Sequence, residues 1–140
     1  MLYVSKAKPG IDKNDIANML EKAVIHNKKQ GITGLLCHTR GCFAQILEGE
    51  ELPVLELYVK IAKDPRHSGL VIVSFAPVAR QSFQGWAMGS FGDNLNPIVN
   101  FDDMLKLRNG REKDGAVAIM QSWLKLLESQ VPSGLTPSNP

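Results

Sequence analysis

A chain of 140 residues, 44% hydrophobic and 21% charged, has the length and composition of one packed domain with a short appendage. A formal net charge of +2 with scattered basic residues gives no footing for nucleic acid or an anionic membrane surface. No apolar run approaches the roughly 18–20 residues of a membrane-spanning helix, and the opening MLYVSKAKPG lacks the apolar stretch of a secretory signal. The expected location is therefore the cytoplasm, where Cys37 and Cys42 would be reduced structural thiols. His26, His38 and His67 have no metal-ligand spacing with those cysteines, so no metal site is expected.

The first predicted element is a short strand over Leu2–Ser5. After a PG break, IDKNDIANMLEKAVIHNKKQG carries an N-cap at Asp12, an acid three residues on at Asp15, and a stop at Gly31. Ile16, Met19, Leu20, Ala23 and Val24 recur at helical spacing, and the next inward position is Asn27. ITGLLCH and CFAQILE then read as a hairpin turning at Thr39–Gly41. In its second strand Phe43, Gln45 and Leu47 share one face, while Cys42, Ala44 and Ile46 share the other. LPVLELYVKIAKD is a second helix, with Pro53 in its first turn and Val54, Leu57, Tyr58 and Ile61 inward. LVIVSFAPVA is a β-branched strand, and GWAMGS is the expected last strand, on which Trp86 and Met88 would face the same way.

The order β-α-β-β-α-β plus one strand predicts an α+β, ferredoxin-like sheet with both helices on one face. Right-handed crossovers place the first strand centrally, beside the strand of Gln45. From about Gly92 the character changes to the turn-rich GDNLNP, followed by two predicted helices, NFDDMLKLRNG and KDGAVAIMQSWLKLLESQ. The second is apolar nearly all round and is expected to cap the bare sheet face, with a disordered end in VPSGLTPSNP. The expected division is a domain over 1–92 and a helical cap over 93–140.

Two amides break the apolar pattern: Gln45 at the centre of a hydrophobic strand face, and Asn27 at the end of a helix stripe. An unsatisfied buried amide costs about 1–3 kcal/mol, so each needs a partner. They could bond backbone or each other, but with Tyr3 and Arg66 converging nearby they point to a planar polar ligand between the helices.

The segments LYVSKA, HNKKQGITGLLCH, CFAQILEGE, YVKIAKDPRHSG and FQGWAMG, in this order and spacing, resemble the BLUF family of blue-light sensors, which bind FAD in a ferredoxin-like domain. The resemblance implies an isoalloxazine ring held between the two helices. Asn27 would meet its pyrimidine edge with help from His26, Arg66 its C2 carbonyl, and His67 would complete the cofactor-binding set. Gln45 would bridge the N5/C4 carbonyl edge and the Tyr3 hydroxyl. On illumination Tyr3 would give up an electron and a proton, and their return would leave Gln45 rotated or tautomerised. Trp86 and Met88 would relay that change. No enzymatic activity is expected; the signal would leave through an unidentified downstream protein or a change in a homo-oligomer. The rival expectations are a light-independent ferredoxin-like binding module and a small flavin redox protein, though no GxGxxG motif supports the latter.

Overall fold

In the computed structural model the described residues are 1–39, 41–91 and 101–109, with single helical positions at 118, 121, 122 and 125. In chain order they form β1 (Leu2–Ala7), α1 (Lys13–Gln30), β2 (Thr33–Thr39), β3 (Cys42–Glu48), α2 (Glu51–Ala62), β4 (His67–Ser74), β5 (Gly89–Phe91) and α3 (Phe101–Asn109). The sheet order is β4-β1-β3-β2-β5, antiparallel except for the parallel β2–β5 pair. This is the ferredoxin-like arrangement, with β1 central and beside β3.

Local chemistry sets the ends of α1. The Asp12 carboxylate accepts from the Asp15 N–H at 2.9 Å, and the Asp15 carboxylate accepts from the Asp12 N–H at 3.2 Å, a reciprocal capping box. At the other end Gly31 adopts φ 65°, a left-handed turn that a glycine takes without Cβ strain, and the chain leaves directly into β2. Gly34 answers a different need. A Cβ there would lie 2.0 Å from the Ile46 carbonyl oxygen of β3, which is backbone and cannot rotate away. Gly34→Ala should therefore destabilise the domain by about 3 kcal/mol, the upper part of the overpacking range, read as a lower midpoint in urea at unchanged slope.

The alternation expected for β3 sorts the core into two layers. Phe43 and Leu47 pack with Tyr3, Ile32, Leu36, Val54 and Met88 on the helix side, where the inward stripes of α1 and α2 cover them. Cys42, Ala44 and Ile46 pack with Leu2, Val4, Leu35 and Cys37 on the far side, joined by Phe83 and Met104. Both cysteines are free and buried.

Several boundaries differ from expectation, β1 running on to Ala7 among them, and three bear on the site. α2 begins at Glu51, without a side-chain cap from Glu50. β4 begins at His67 and ends at Ser74, so Phe75–Ala79 lie beyond it. Gly69, at φ 60°, admits an irregular start whose pairing with β1 shifts register between Val4 and Lys6, and Pro77 has no N–H for a ladder. The third difference is a correction. The expected strand GWAMGS is a strand only from Gly89; Phe83–Met88 turn instead, with Gly85 at φ 84° and the Trp86 N–H donating to the Phe83 carbonyl at 3.0 Å. Trp86 and Met88 therefore do not share a face: Trp86 packs on the far layer and Met88 on the helix side.

The first tail helix also has a place. α3 lies against β1 and β4, with Met104 buried in the far layer, Phe101 packed beside it, and the Lys6 ammonium 5.0 Å from the Phe101 ring centre. α3 thus covers part of the far face that the second predicted helix was expected to cap. That second helix and the expected disordered end lie largely outside the described residues; Ala118, Gln121, Ser122 and Lys125 are helical and exposed. No helix among the described residues is long and apolar enough to cross a membrane.

Candidate functional site

A cavity of about 220 Å³ opens between α1 and α2 above the sheet. Met19, Leu20 and Ala23 of α1 face Leu57 and Ile61 of α2, so its walls are apolar, while its polar groups stand at the edges. Every sequence-predicted cofactor-binding residue lines it: Tyr3, His26, Asn27, Gln45, Arg66 and His67. Met88 lines it too, and Trp86 does not.

The floor is a cross-strand pair. Tyr3 of β1 stands directly opposite Gln45 of β3, and its hydroxyl donates to Gln45 Oε1. Gln45 Nε2 in turn donates to the Met88 sulfur at 3.3 Å. A neutral amide accepts at its oxygen and donates at its nitrogen, so Gln45 links Tyr3 to Met88 in a single chain. Tyr3 is buried, its ring meeting Tyr58 edge-on at 5.4 Å. Burial, with smaller contributions from Tyr58 and Asp64, pushes its hydroxyl pKa far above the ordinary value.

Asn27 is fully buried, and its Nδ2 donates to the Ala87 carbonyl at 2.8 Å. Its Oδ1 has no hydrogen-bond partner among the described residues, although it is sealed from solvent. A buried acceptor without a partner is an exception in a folded protein, and here it belongs to a residue that lines the cavity. Gln45 and Asn27 thus each meet the 87–88 backbone or side chain, and neither is satisfied by the other.

Arg66 stands at the edge, where Nε donates to Asp64 Oδ1 at 2.8 Å and Nη2 donates to Asp64 Oδ2. The Arg66 hydrogen bonds hold the Asp64 carboxyl at about 2, below its model-peptide value of 3.8. The stability this pair lends is present above pH 3.8 and is lost as pH falls toward 2. His67 is fixed at both ring nitrogens. The Ile61 carbonyl accepts from Nε2 at 2.7 Å, so in the neutral ring Nδ1 accepts from the Ser5 hydroxyl at 2.8 Å. That arrangement pins the DPRH turn to β1 and to the end of α2.

Sequence reasoning passed over Asp64, Ser5 and Glu48. The signal for Glu48 was present: after Cys42, Ala44 and Ile46 it is the acid that ends an otherwise apolar face. Asp64, two residues before Arg66, was legible as a partner by spacing alone.

A ferredoxin-like sheet with an apolar slot edged by amides, a guanidinium and a buried phenol defines a domain built for a flat ring with polar edges. The sequence profile of the BLUF family, sensors of blue-light using FAD, matches residues 1–89, and the chain belongs to that family of flavin-binding blue-light sensors. It is similar to photoactivated adenylate cyclase subunit beta of Euglena gracilis, 34% identical over 96 residues, which are 68% of this chain and 11% of the relative. Among solved structures it resembles a bacterial light-regulated adenylyl cyclase at 26% identity and TM-score 0.65, covering 94% of this chain and 36% of that one. It also shares the fold of BlrB, a BLUF protein in its dark state, at 21% identity and TM-score 0.71, covering 91% and 92%. The chain spans about a tenth of the length of the curated relatives it matches.

Proposed function

We propose that this chain senses blue light with a non-covalently bound FAD and passes the signal through the Tyr3–Gln45–Met88 chain to a protein effector or a change of assembly. The observation that carries the reading is the unbroken hydrogen-bond chain from a buried phenol through a rotatable amide to Met88, beside an amide acceptor left open on Asn27.

The residues suit the cofactor. Asn27 Oδ1 would accept the N–H of the pyrimidine edge, and the Arg66 guanidinium, with donors left beyond its Asp64 pair, suits a ring carbonyl. His26 lies on the same wall of α1 as Asn27, one position before it, and His67 holds the Arg66 turn in place. A cavity of about 220 Å³ falls below the roughly 300–1,000 Å³ of sites that enclose a whole ligand, so it takes the ring and leaves the nucleotide end outside. A bound oxidised flavin supplies the blue absorption band and, once excited, a strong oxidant.

The protein's own atoms make the switch. Tyr3 holds its proton toward Gln45 Oε1; rotation of the Gln45 amide would reverse which atom meets Tyr3 and which meets Met88, whereas tautomerisation would keep both atoms in place and move one proton from Nε2 to Oε1. Rotation ends the Nε2 donation to the Met88 sulfur and tautomerisation leaves Nε2 a single hydrogen for it, so either change would loosen Met88 while Asn27 still holds Ala87. Residues 1–92 would be the sensor and 93–140 the output cap, with α3 already seated beneath β1. Two of the three proteins named above are photoactivated or light-regulated adenylate cyclases, which supports an effector protein as the recipient.

Purified protein should be yellow, release FAD on denaturation, and show a small reversible red shift under blue light. Asn27→Ala should weaken flavin binding by about 1–3 kcal/mol, measured by titrating the apoprotein. Correctly folded protein that takes up no flavin would sink the reading. Yellow protein with no shift that oxidises NAD(P)H would replace it with the redox one.

A further inference from the structure

The segment 81–88 passes from one face of the sheet to the other, and its two ends are held by different groups. At the pocket end Ala87 and Met88 accept from Asn27 and Gln45. In the middle, the Trp86 carbonyl accepts from the Gly34 N–H at 3.0 Å, where β2 approaches β3 most closely. At the far end the Glu48 carboxylate, 4% exposed, accepts from the N–H groups of Ser82 and Phe83 at 2.7 and 3.0 Å through one oxygen, Oε2. Gln81 adds a strut, donating from Nε2 to the carbonyls of Gly31 and Glu48, both at 3.0 Å. Between these points Phe83 is fully buried in the far layer.

A carboxylate is costly to bury, and here its second oxygen has no partner among the described residues. The two backbone N–H groups offset that cost together with the charge of the Met1 ammonium nearby, and charge-assisted bonds of this kind are about twice as strong as neutral ones. The placement is equally telling. Glu48 is three residues beyond Gln45 on β3 but on the opposite face, so the same strand grips both ends of the segment.

We propose that Glu48 is a positioning residue for the light switch: its carboxylate fixes the 81–83 end of the segment, so that the release of Met88 by Gln45 is carried along the segment instead of being absorbed at its far end. A strap loose at its far end would absorb that release there. Anchored at 81–83, with the Trp86 carbonyl still held by Gly34 and Ala87 by Asn27, it passes the release to the Trp86 side chain on the far layer, beside Phe83 and the residues that α3 covers. The inference rests on the switch reading given above, and it carries the pocket change to the opposite face of the sheet.

The test uses the full-length, flavin-loaded protein with Glu48→Ala, Glu48→Gln and Gln81→Ala. In the dark, amide hydrogen exchange over 82–88 should rise about tenfold in Glu48→Ala, and the thermal return of the red shift should change by at least about threefold. Glu48→Gln retains an acceptor oxygen in the same volume and should restore both readouts to within about twofold of wild type. A Glu48→Ala protein that melts earlier but keeps wild-type exchange at 84–88 and wild-type recovery overturns the proposal, because the carboxylate then only stabilises the fold. Should Glu48→Ala fail to fold, Gln81→Ala removes the neighbouring strut from a half-buried side chain and must raise exchange in the same segment; unchanged exchange there is equally fatal. Dark-state exchange reads the anchor without light, so a failure of the photoreceptor reading would show separately, as wild-type protein lacking the red shift.

Discussion

Tyr3→Phe should keep flavin bound and lose the light-induced red shift altogether. The substitution removes one oxygen from a buried ring and leaves the packing against Tyr58 and the register with Gln45 in place. What disappears is the hydroxyl that donates to Gln45 Oε1, and with it the proton that the amide must receive. The neighbouring explanation for any surviving photochemistry is Trp86, but Trp86 packs on the far layer and lines no part of the cavity. Trp86→Phe should therefore leave the shift largely intact under the same lamp. Gln45→Leu approximates the volume and removes both donor and acceptor, so it should match Tyr3→Phe: yellow protein with an inert spectrum. A normal red shift in Tyr3→Phe would show that this chain does not use its buried phenol.

Removal of residues 93–140 should cause aggregation or a new assembly state, because it strips α3 from the far layer. Met104 is 2% exposed and sits among Leu2, Val4, Ile46 and Phe83, and Phe101 and the Lys6 ammonium close the edge. Without Met104 and Phe101 the apolar side of β1 and β4 faces water, a contiguous patch of the kind that drives association. Met104→Ala in the full chain makes the same point more gently and should cost about 2–5 kcal/mol, as other buried methionine truncations do. Light scattering in dark and light distinguishes the roles. A truncated protein that stays monodisperse, with the same mass in both states, would remove the tail from the signalling route.

Much of this was legible in the sequence because each element announced itself with more than one cue. Asp12, Asp15 and Gly31 set both ends of α1, and strict alternation in CFAQILE sorted β3 into its two layers. The amides were legible for the opposite reason, as exceptions to those same patterns. Trp86 and Met88 were misread because GWAMG has the composition of a strand, and only the left-handed Gly85 and the Trp86–Phe83 turn show that the backbone reverses there. Such a turn depends on its ends being held, by Glu48 and Gly34, and those holds are tertiary. The seating of α3 was illegible for the same kind of reason: two consecutive apolar helices competed for one bare face, and periodicity says which side of a helix is greasy but not what it will meet.

The direct opposition of Tyr3 and Gln45 across β1 and β3 has a consequence for how freely this protein can be altered. Their separation is dictated by the pitch of a backbone ladder, which is the same whatever side chains hang from it. The two helices above can be repainted over most of their outer surface, for colour tuning, solubility or fusion to a new output, without detuning the pair beneath. An engineer would treat the central strands as an optical bench and everything clamped to it as interchangeable fittings.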